Sequence, residues 1–369
     1  MSASHRASGT DEQAAVAAPT TGRRFELDVL RILAILGVVA IHVFGLILGR
    51  PDLRGTPTWT FAVVLDLGAR WSVPFFVLAS GLLVLAPRAH AAGPAAFYRK
   101  RVTRLLPALV VWHAVYLLVV RFWMQGEEPR TDFVIVNFID GKVFTALYFL
   151  WLILGLYAVA PVLAAFLSAG GQRRAATAAA VALVWCGTVT ALPAITSLLG
   201  EPRPWSQGAL TWWLAFAGLF LAGYAWGTAR PESTRWRWTA PLGLLLMAEA
   251  VWQFSVTPDH RWLQAALPPT YTGLGVAVGS VCLFVAGVDL LARLRPSDAV
   301  RRVTGALSDA TFGVFLVHLL VVAVLRQVWP EWYASPAPVD KTEMYVVVVV
   351  AAFAISMLAR QVPVLRRVF

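Results

Sequence analysis

The chain has 369 residues, of which 59% are hydrophobic and only 14% are charged, and its mean hydropathy is +0.68. Soluble domains are about half apolar and about one quarter charged, so this composition excludes an ordinary soluble enzyme, a disordered chain and a coiled coil. The net charge of +11 fits the basic loops of a membrane protein, and no nucleic-acid partner is expected. Cys186 and Cys282 lie in apolar runs without metal-ligand spacing, so no metal site is expected.

The first 24 residues are rich in Ala, Ser, Thr and Gly and contain no apolar run. Such a segment cannot bury enough apolar surface to fold, which predicts a disordered cytoplasmic tail over residues 1–24. The first apolar run is too long for a cleaved signal peptide and leads directly into further apolar runs. A single transmembrane domain is therefore predicted over residues 25–369.

Ten apolar runs follow, and each is long enough to cross a bilayer, which takes about 20 apolar residues in a helix. They lie at 27–49, 60–86, 104–123, 144–168, 175–199, 208–228, 238–256, 272–293, 310–329 and 343–365. The runs are continuous and do not alternate, which argues against a transmembrane barrel. The sequence therefore predicts an all-α, polytopic membrane protein with about ten transmembrane helices.

The loops between these runs alternate in their content of Lys and Arg. If the N-terminus lies in the cytoplasm, the cytoplasmic loops and termini hold about twice as many Lys and Arg residues as the outer loops. An odd number of helices would destroy this alternation. We therefore expect both termini in the cytoplasm. We also expect a multi-pass protein of the cell membrane, specifically a bacterial plasma membrane.

Ionisable side chains are energetically unfavourable inside a membrane and are often functional there. In the first run, Arg31 and His42 are eleven residues apart, which returns to nearly the same helix face with a rise of ~16 Å. Asp28 is three residues from Arg31 and can pair with it. A buried neutral imidazole is a good proton acceptor, so His42 is a candidate base, against the alternative of a histidine hydrogen-bonded between helices. His113 and His318 are interpreted as structural.

Arg101 and Arg104 lie one helical turn apart at the cytoplasmic start of the third run. Guanidinium groups suit phosphate oxygens, so the pair predicts a site for a phosphorylated ligand. The alternative is a basic cytoplasmic loop without any ligand. That alternative explains Arg99 and Lys100 better than Arg104, which adjoins the apolar run.

Four other residues within the runs are weaker candidates for substrate binding. Asp66 and Arg70 are four residues apart with the acid first, the favourable order for a helical ion pair, and a structural pair is at least as reasonable as a substrate role. Glu249 has no obvious partner nearby in the sequence. Trp151 lies well inside the fourth run, unlike most of the tryptophans, which are expected at the membrane interfaces.

Several motifs of the chain occur in the same order in a known protein family. They are Arg31 with His42, the segment SVPFFVLASG at 72–81, Arg101 and Arg104 followed by Pro107, the Leu-Trp-Leu at 150–152 with Tyr157 and Pro161, and the segment 308–318, which ends in Phe-Leu-Val-His. Together they cover most of residues 24–320. On these motifs the chain resembles the acyltransferase-3 family of integral-membrane acyltransferases, in particular the surface-polysaccharide O-acyltransferase type.

The resemblance implies transfer of an acyl group, commonly acetyl from acetyl-CoA, to a sugar hydroxyl at or outside the membrane. It also implies that His42 is the catalytic base and that Arg31, Arg101 and Arg104 bind the acyl-CoA donor. Acyl-CoA is then a substrate, and no permanently bound cofactor is expected.

The chain departs from the family pattern at two places. Phe149 stands where many members have a histidine before the Leu-Trp pair, and Thr311, Phe312 and Phe315 stand in a late motif that is otherwise rich in tyrosine. The first departure bears on recognition of the acceptor. Neither departure touches the first-run motif or the Arg-x-x-Arg motif.

The residues and the resemblance together suggest a division of labour. The three arginines hold the phosphates of CoA at the cytoplasmic face, and its pantetheine arm extends between the first three helices towards His42. The acceptor, a carbohydrate or glycoconjugate, enters from the outer side. The candidates for binding it are Asp66, Arg70, Trp151 and Glu249.

Buried ionisable residues also form proton paths, so a proton-coupled transporter or exporter of lipid-linked sugars or small solutes is the alternative. A transporter would favour inverted repeats, and the sequence shows no repeat. The acceptor, the length of the acyl chain, an acyl-histidine intermediate and the oligomeric state stay open.

Overall fold

The structure is a computed structural model that describes residues 23–256 and 261–369. The predicted tail lies outside the described residues, except for Arg23 and Arg24. The described residues form helices and no β-strand. The helices are α1 Phe25–Leu48, α2 Pro57–Gly68, α3 Ser72–Val84, α4 Gly93–Ala114, α5 Thr131–Ile139, α6 Tyr148–Ser168, α7 Gly171–Leu198, α8 Ala217–Trp226, α9 Trp236–Ser255, α10 Arg261–Ala266, α11 Leu274–Leu291, α12 Asp298–Val328, α13 Pro330–Ala334 and α14 Pro338–Ala359.

Eight helical spans among the described residues are long and apolar enough, by length and composition, to cross a membrane. Each corresponds to one of the ten predicted runs. The two other runs are also helical: Trp212–Trp226 is shorter, and α9 carries Arg237 and Glu249. The prediction of an all-α, polytopic membrane protein is confirmed.

Helix α1 lies inside the bundle, where it packs against α2, α3, α11, α12 and α14. Its residues Ala34, Ile35, Val39 and Val43 are fully buried. A helix that is apolar on all sides is the kind expected in the interior of a bundle. The two ionisable residues predicted to be functional on α1 are thus carried by a helix with protein around it.

The second predicted run forms two helices. The chain breaks between α2 and α3, where the Ser72 hydroxyl donates to the carbonyl of Ala69. Gly37 on α1 faces this hydroxyl, and a Cβ at Gly37 would overlap it. The break places Arg70 at the junction of the two helices, where its guanidinium donates to the carbonyl of Pro269 at 2.8 Å.

Helices α3 and α8 cross at very short range because each has a glycine at the contact. A Cβ at Gly81 would overlap the carbonyl of Phe220, and a Cβ at Gly223 would overlap the carbonyl of Leu78. Small residues at such crossings allow two membrane helices to pack backbone against backbone.

The helix formed by the third run changes its hydrogen-bonding pattern in its second half. After α4, the segment Val115–Met124 continues with π-helical hydrogen bonding, which often occurs near functional sites. Tyr116 in this segment is buried, and its hydroxyl donates to the carbonyl of Leu316 at 2.8 Å and accepts from the backbone N–H of Leu320 at 3.1 Å. The segment is thereby joined to α12.

Candidate active site

A cavity of about 320 Å³ contains all three arginines predicted to bind the donor. Arg31 of α1 and Arg101 and Arg104 of α4 line it, together with Tyr157 of α6 and Asp309 of α12. We call it the basic cavity. The structure therefore brings together two motifs that lie in separate apolar runs of the sequence.

None of these three arginines has an ion-pair partner among residues 23–256 and 261–369. The guanidinium carbon of Arg101 lies 5.3 Å from the ring centre of Phe97 and 5.1 Å from that of Tyr157. Its Nε is buried without a hydrogen-bond partner in the described part of the chain, which is rare for a buried N–H. A group of unpaired guanidinium ions in one cavity suits an anionic ligand.

Two carboxylates near the basic cavity are neutralised by a different arginine. Arg23 pairs with Asp28 at 2.6 Å and with Asp309 at 2.8 Å. Hydrogen bonds to Asp309 and Asp28 raise the pKa of Arg23, which stays charged. The predicted pair between Asp28 and Arg31 is not formed, because Asp28 already binds Arg23. Arg31 is left facing the cavity.

His42 lines a second cavity of about 110 Å³, which we call the histidine cavity. Most of its other lining side chains are apolar, among them Val38 and Val73. His42 is half-buried, and its ring nitrogens have no hydrogen-bond partner among the residues that the structure describes. A neutral imidazole in such a place has a free lone pair, as the prediction of a base requires.

The ring of His318, on α12, lies against His42 with 5.2 Å between ring centroids. Sequence reasoning treated His318 as structural and missed this contact. The position of His318 at the end of the late motif was the one signal in the sequence that could have indicated a functional role. Its distance from His42 along the chain gave no indication that the two rings meet.

Three phenylalanines, Phe76, Phe149 and Phe315, line both the basic and the histidine cavity. The ring centroids of Phe76 and Phe149 are 6.1 Å apart, and those of Phe149 and Phe315 are 5.2 Å apart. We call these residues the aromatic collar. The channel expected between Arg31 and His42 is thus divided, because side chains from α3, α6 and α12 meet across it.

A third cavity, of about 750 Å³, adjoins the histidine cavity through Thr145, Tyr148 and Tyr271, which line both. It is also lined by polar side chains that include Asn137, Lys142, Gln207 and Thr272. We call it the polar cavity. The charge pattern predicts the outer side for the loop of Lys142 and the cytoplasmic side for Arg101.

Asp66 and Arg70 form the predicted ion pair, with 3.2 Å between Arg70 Nη2 and Asp66 Oδ1. Neither lines any of the three cavities. Arg70 instead lies 5.7 Å from the ring centre of Tyr271, which lines two of them. Burial raises the pKa of Tyr271 to about 12, so its phenol stays protonated and can donate or accept a hydrogen bond. The pair therefore supports the wall of the site.

Trp151 likewise lies outside the three cavities. Its indole Nε1 donates to His113 Nε2 at 3.0 Å, and His113 Nδ1 contacts the carbonyl of Leu109 at 2.7 Å. Since a carbonyl only accepts, His113 carries its proton on Nδ1 and accepts on Nε2. Both ring nitrogens are occupied, which supports the structural interpretation of His113.

Glu249 of α9 also lines none of the three cavities. It accepts a hydrogen bond from Gln253 at 2.9 Å, one turn further along the helix. Gln253 donates in addition to the carbonyl of Leu267 at 2.8 Å. The partner that sequence reasoning did not find is therefore this amide.

A family model described as an acyltransferase domain, that of acyltransferase-3, matches residues 24–361. No curated protein and no solved structure matches the chain. The matched region contains the three arginines, His42, His318 and the aromatic collar. The chain belongs to the acyltransferase-3 family and is a membrane acyltransferase.

Proposed function

We propose that the protein transfers an acyl group, namely acetyl, from cytoplasmic acyl-CoA to a hydroxyl of a carbohydrate or glycoconjugate at the outer side of the membrane. The observation that carries the proposal is the series of three adjoining cavities. The basic cavity, with its unpaired arginines, and the polar cavity reach the histidine cavity through different walls.

The donor binds in the basic cavity. Its phosphate groups are anionic, and Arg31, Arg101 and Arg104 offer guanidinium groups that no carboxylate in the described part of the chain occupies. The stacking of Arg101 between Phe97 and Tyr157 fixes its direction before the ligand arrives. The pantetheine arm then passes the aromatic collar, whose rings must move aside for the thioester to reach His42.

The acceptor binds in the polar cavity, which has room for a sugar residue and offers amide, hydroxyl and aromatic groups. Hydroxyl and amide side chains exchange hydrogen bonds with sugar hydroxyls, and tyrosine rings pack on their apolar faces. The hydroxyl to be acylated lies near Thr145, Tyr148 and Tyr271, on the wall shared with the histidine cavity. Arg70 and Asp66 act on this site through Tyr271.

His42 takes the proton of the acceptor hydroxyl as its oxygen attacks the thioester carbon. A carbon–oxygen bond forms, the carbon–sulfur bond breaks, and the CoA thiolate leaves. The imidazolium returns its proton to the thiolate, which gives free CoA and the neutral base. Each substrate reaches His42 from its own cavity, and no acyl-enzyme intermediate is needed.

The first experiment supplies labelled acetyl-CoA to inverted vesicles that contain the protein and its host's glycans. We expect covalent label on a carbohydrate with the native chain, and a loss of at least roughly 100-fold with His42→Ala, because a general base contributes that much or more. Expression and acetyl-CoA binding should be retained. Undiminished transfer by His42→Ala would overturn the assignment of the base.

His113→Gln is the matched control, since it alters another intramembrane histidine that is hydrogen-bonded outside the cavities. We expect it to retain most of the transfer. Uptake of an unmodified solute without covalent label on any glycan would instead support the transporter alternative.

A further inference from the structure

His318 has one ring nitrogen whose role is defined by its contacts. Its Nδ1 lies 2.8 Å from the carbonyl of Phe315 and 3.1 Å from that of Val314. Because carbonyls only accept, Nδ1 carries the proton. In a neutral imidazole the other nitrogen, Nε2, then has a lone pair and accepts.

That lone pair is unused. His318 is fully buried, and its Nε2 has no hydrogen-bond partner among the described residues. Buried polar atoms are nearly always paired, so an unpaired one in the interior calls for an explanation. The side chain cannot turn over to relieve the situation without losing its two carbonyl contacts.

The ring of His318 packs against that of His42, with 5.2 Å between centroids and 42° between planes. His42 has no hydrogen-bond partner in the described part of the chain. Two imidazoles joined by a direct N–H···N bond of ~2.9 Å have centroids at about this separation. Hydrogen bonds in an active site are often long until substrate is bound, so a small rotation of His42 is sufficient.

We propose that His318 is a positioning residue, which accepts an N–H of His42 and thereby holds the other nitrogen of His42 as a lone pair towards the acceptor hydroxyl. This inference rests on His42 being the base. The Phe315 carbonyl fixes the proton of His318, His318 fixes the tautomer of His42, and His42 accepts the substrate proton. When His42 becomes an imidazolium, the same contact shares its charge.

A neutral hydrogen-bond acceptor suits the position beside His42. A carboxylate in the same position would orient His42 equally well, but it would put a permanent charge among apolar side chains within the membrane. An imidazole whose proton is held by a backbone carbonyl orients His42 in the same way without introducing that charge.

The experiment compares His318→Leu with His318→Gln in the vesicle assay. The leucine side chain cannot accept a hydrogen bond, so kcat should fall by at least roughly 10- to 100-fold, the cost of removing the hydrogen-bond partner that orients a metal-ligating histidine, while KM for acetyl-CoA stays unchanged. Glutamine has a carbonyl that reaches a similar position, and it should restore most of kcat.

Tyr116→Phe is the matched structural control, because its hydroxyl contacts Leu316 and Leu320 on either side of His318. It should lower thermal stability and leave kcat nearly unchanged. Equal losses of kcat in Tyr116→Phe and His318→Leu would mean that His318 serves only to support α12, and would overturn the proposal.

Different results would overturn the role of His318 and the role of His42. Native kcat in His318→Leu, with His42→Ala inactive, would overturn the role of His318 alone. Full transfer by His42→Ala would overturn both. In the His42→Ala background, His318→Leu should lower the residual rate no further, since His318 acts through His42.

Discussion

At the scale of single residues, the basic cavity is distinguished by three arginines that line it together without a carboxylate partner among the described residues. Arg23, Arg70 and Arg235 each bind a carboxylate, whereas the three arginines of the basic cavity bind none among the described residues. A guanidinium that stays unpaired in a folded protein is kept for a ligand or for solvent. Arg31 and Arg101 are half-buried and Arg104 is exposed, but all three line one cavity, and this convergence favours an anionic ligand.

We therefore expect Arg101→Ala and Arg104→Ala to raise KM for acetyl-CoA by about 10- to 100-fold each, because a charge-assisted hydrogen bond contributes ~1.5–3 kcal/mol. The KM for the acceptor should not change. Initial rates at varied donor and acceptor concentrations measure both constants. Arg99→Ala removes the same charge from an exposed position of the same helix and should have little effect. A change confined to the acceptor constant would contradict the location of the donor.

Residues related by helix geometry could be found from the sequence, and residues related by packing could not. Arg101 with Arg104 and Arg31 with His42 follow from their spacing on one helix. The contact of His42 with His318 depends on how α1 packs against α12, which no spacing encodes. Likewise, Asp28 was assigned to the arginine nearest in the helix, but Arg23 binds it from the preceding segment.

At the scale of secondary-structure elements, the aromatic collar joins α3, α6 and α12 between two cavities. The histidine cavity behind it is small, about the volume of a few water molecules at roughly 30 Å³ each. A two-carbon acyl group fits such a space far better than a long chain. Phe149 belongs to both cavities and contacts the two other collar rings.

Phe149→Ala should widen the passage and raise the rate with butyryl-CoA relative to acetyl-CoA by about 10-fold, since each methylene in a close-fitting pocket changes specificity by that order. Competition between the two donors in one reaction measures the ratio. Phe166→Ala, at an exposed position of the same helix, is the control. An unchanged ratio would show that the collar does not select the acyl group.

Apolar runs were sufficient to predict most helices, since hydrophobic length is visible in the sequence. They were not sufficient to predict the break at residues 69–71, which depends on Ser72 and on its contact with α1. The short helices α5 and α10 lie in loops whose composition gave no strong signal. The partner of Trp151, His113, lies on another helix and is defined only by packing. The partner of Glu249, Gln253, is four residues further along the same helix, so its spacing did show it and was overlooked.

At the scale of the whole molecule, the charge pattern and the cavities are consistent with one orientation. Arg101 and Arg104 are predicted on the cytoplasmic side and Lys142 on the outer side, and these residues line the two cavities at either end of the series. The order of substrates in the proposed function depends on this orientation.

A cysteine introduced at Glu128, in an exposed loop predicted outside, should react with a membrane-impermeant maleimide in intact cells. A cysteine at the exposed Arg295, predicted inside, should react only after the membrane is permeabilised. The native Cys186 is buried and Cys282 is half-buried in a membrane span, so the parent protein should give little background. The reverse labelling pattern would show that the membrane orientation is opposite to the predicted one.

The collar has one more consequence for a cell that depends on a sealed envelope. An enzyme that takes one substrate from each aqueous compartment risks becoming a leak for protons and ions. Phenyl rings exclude hydrated ions, because a narrow hydrophobic constriction does not stay wet. If the rings part only around a thioester, a compact acyl group crosses while the ion gradients are preserved.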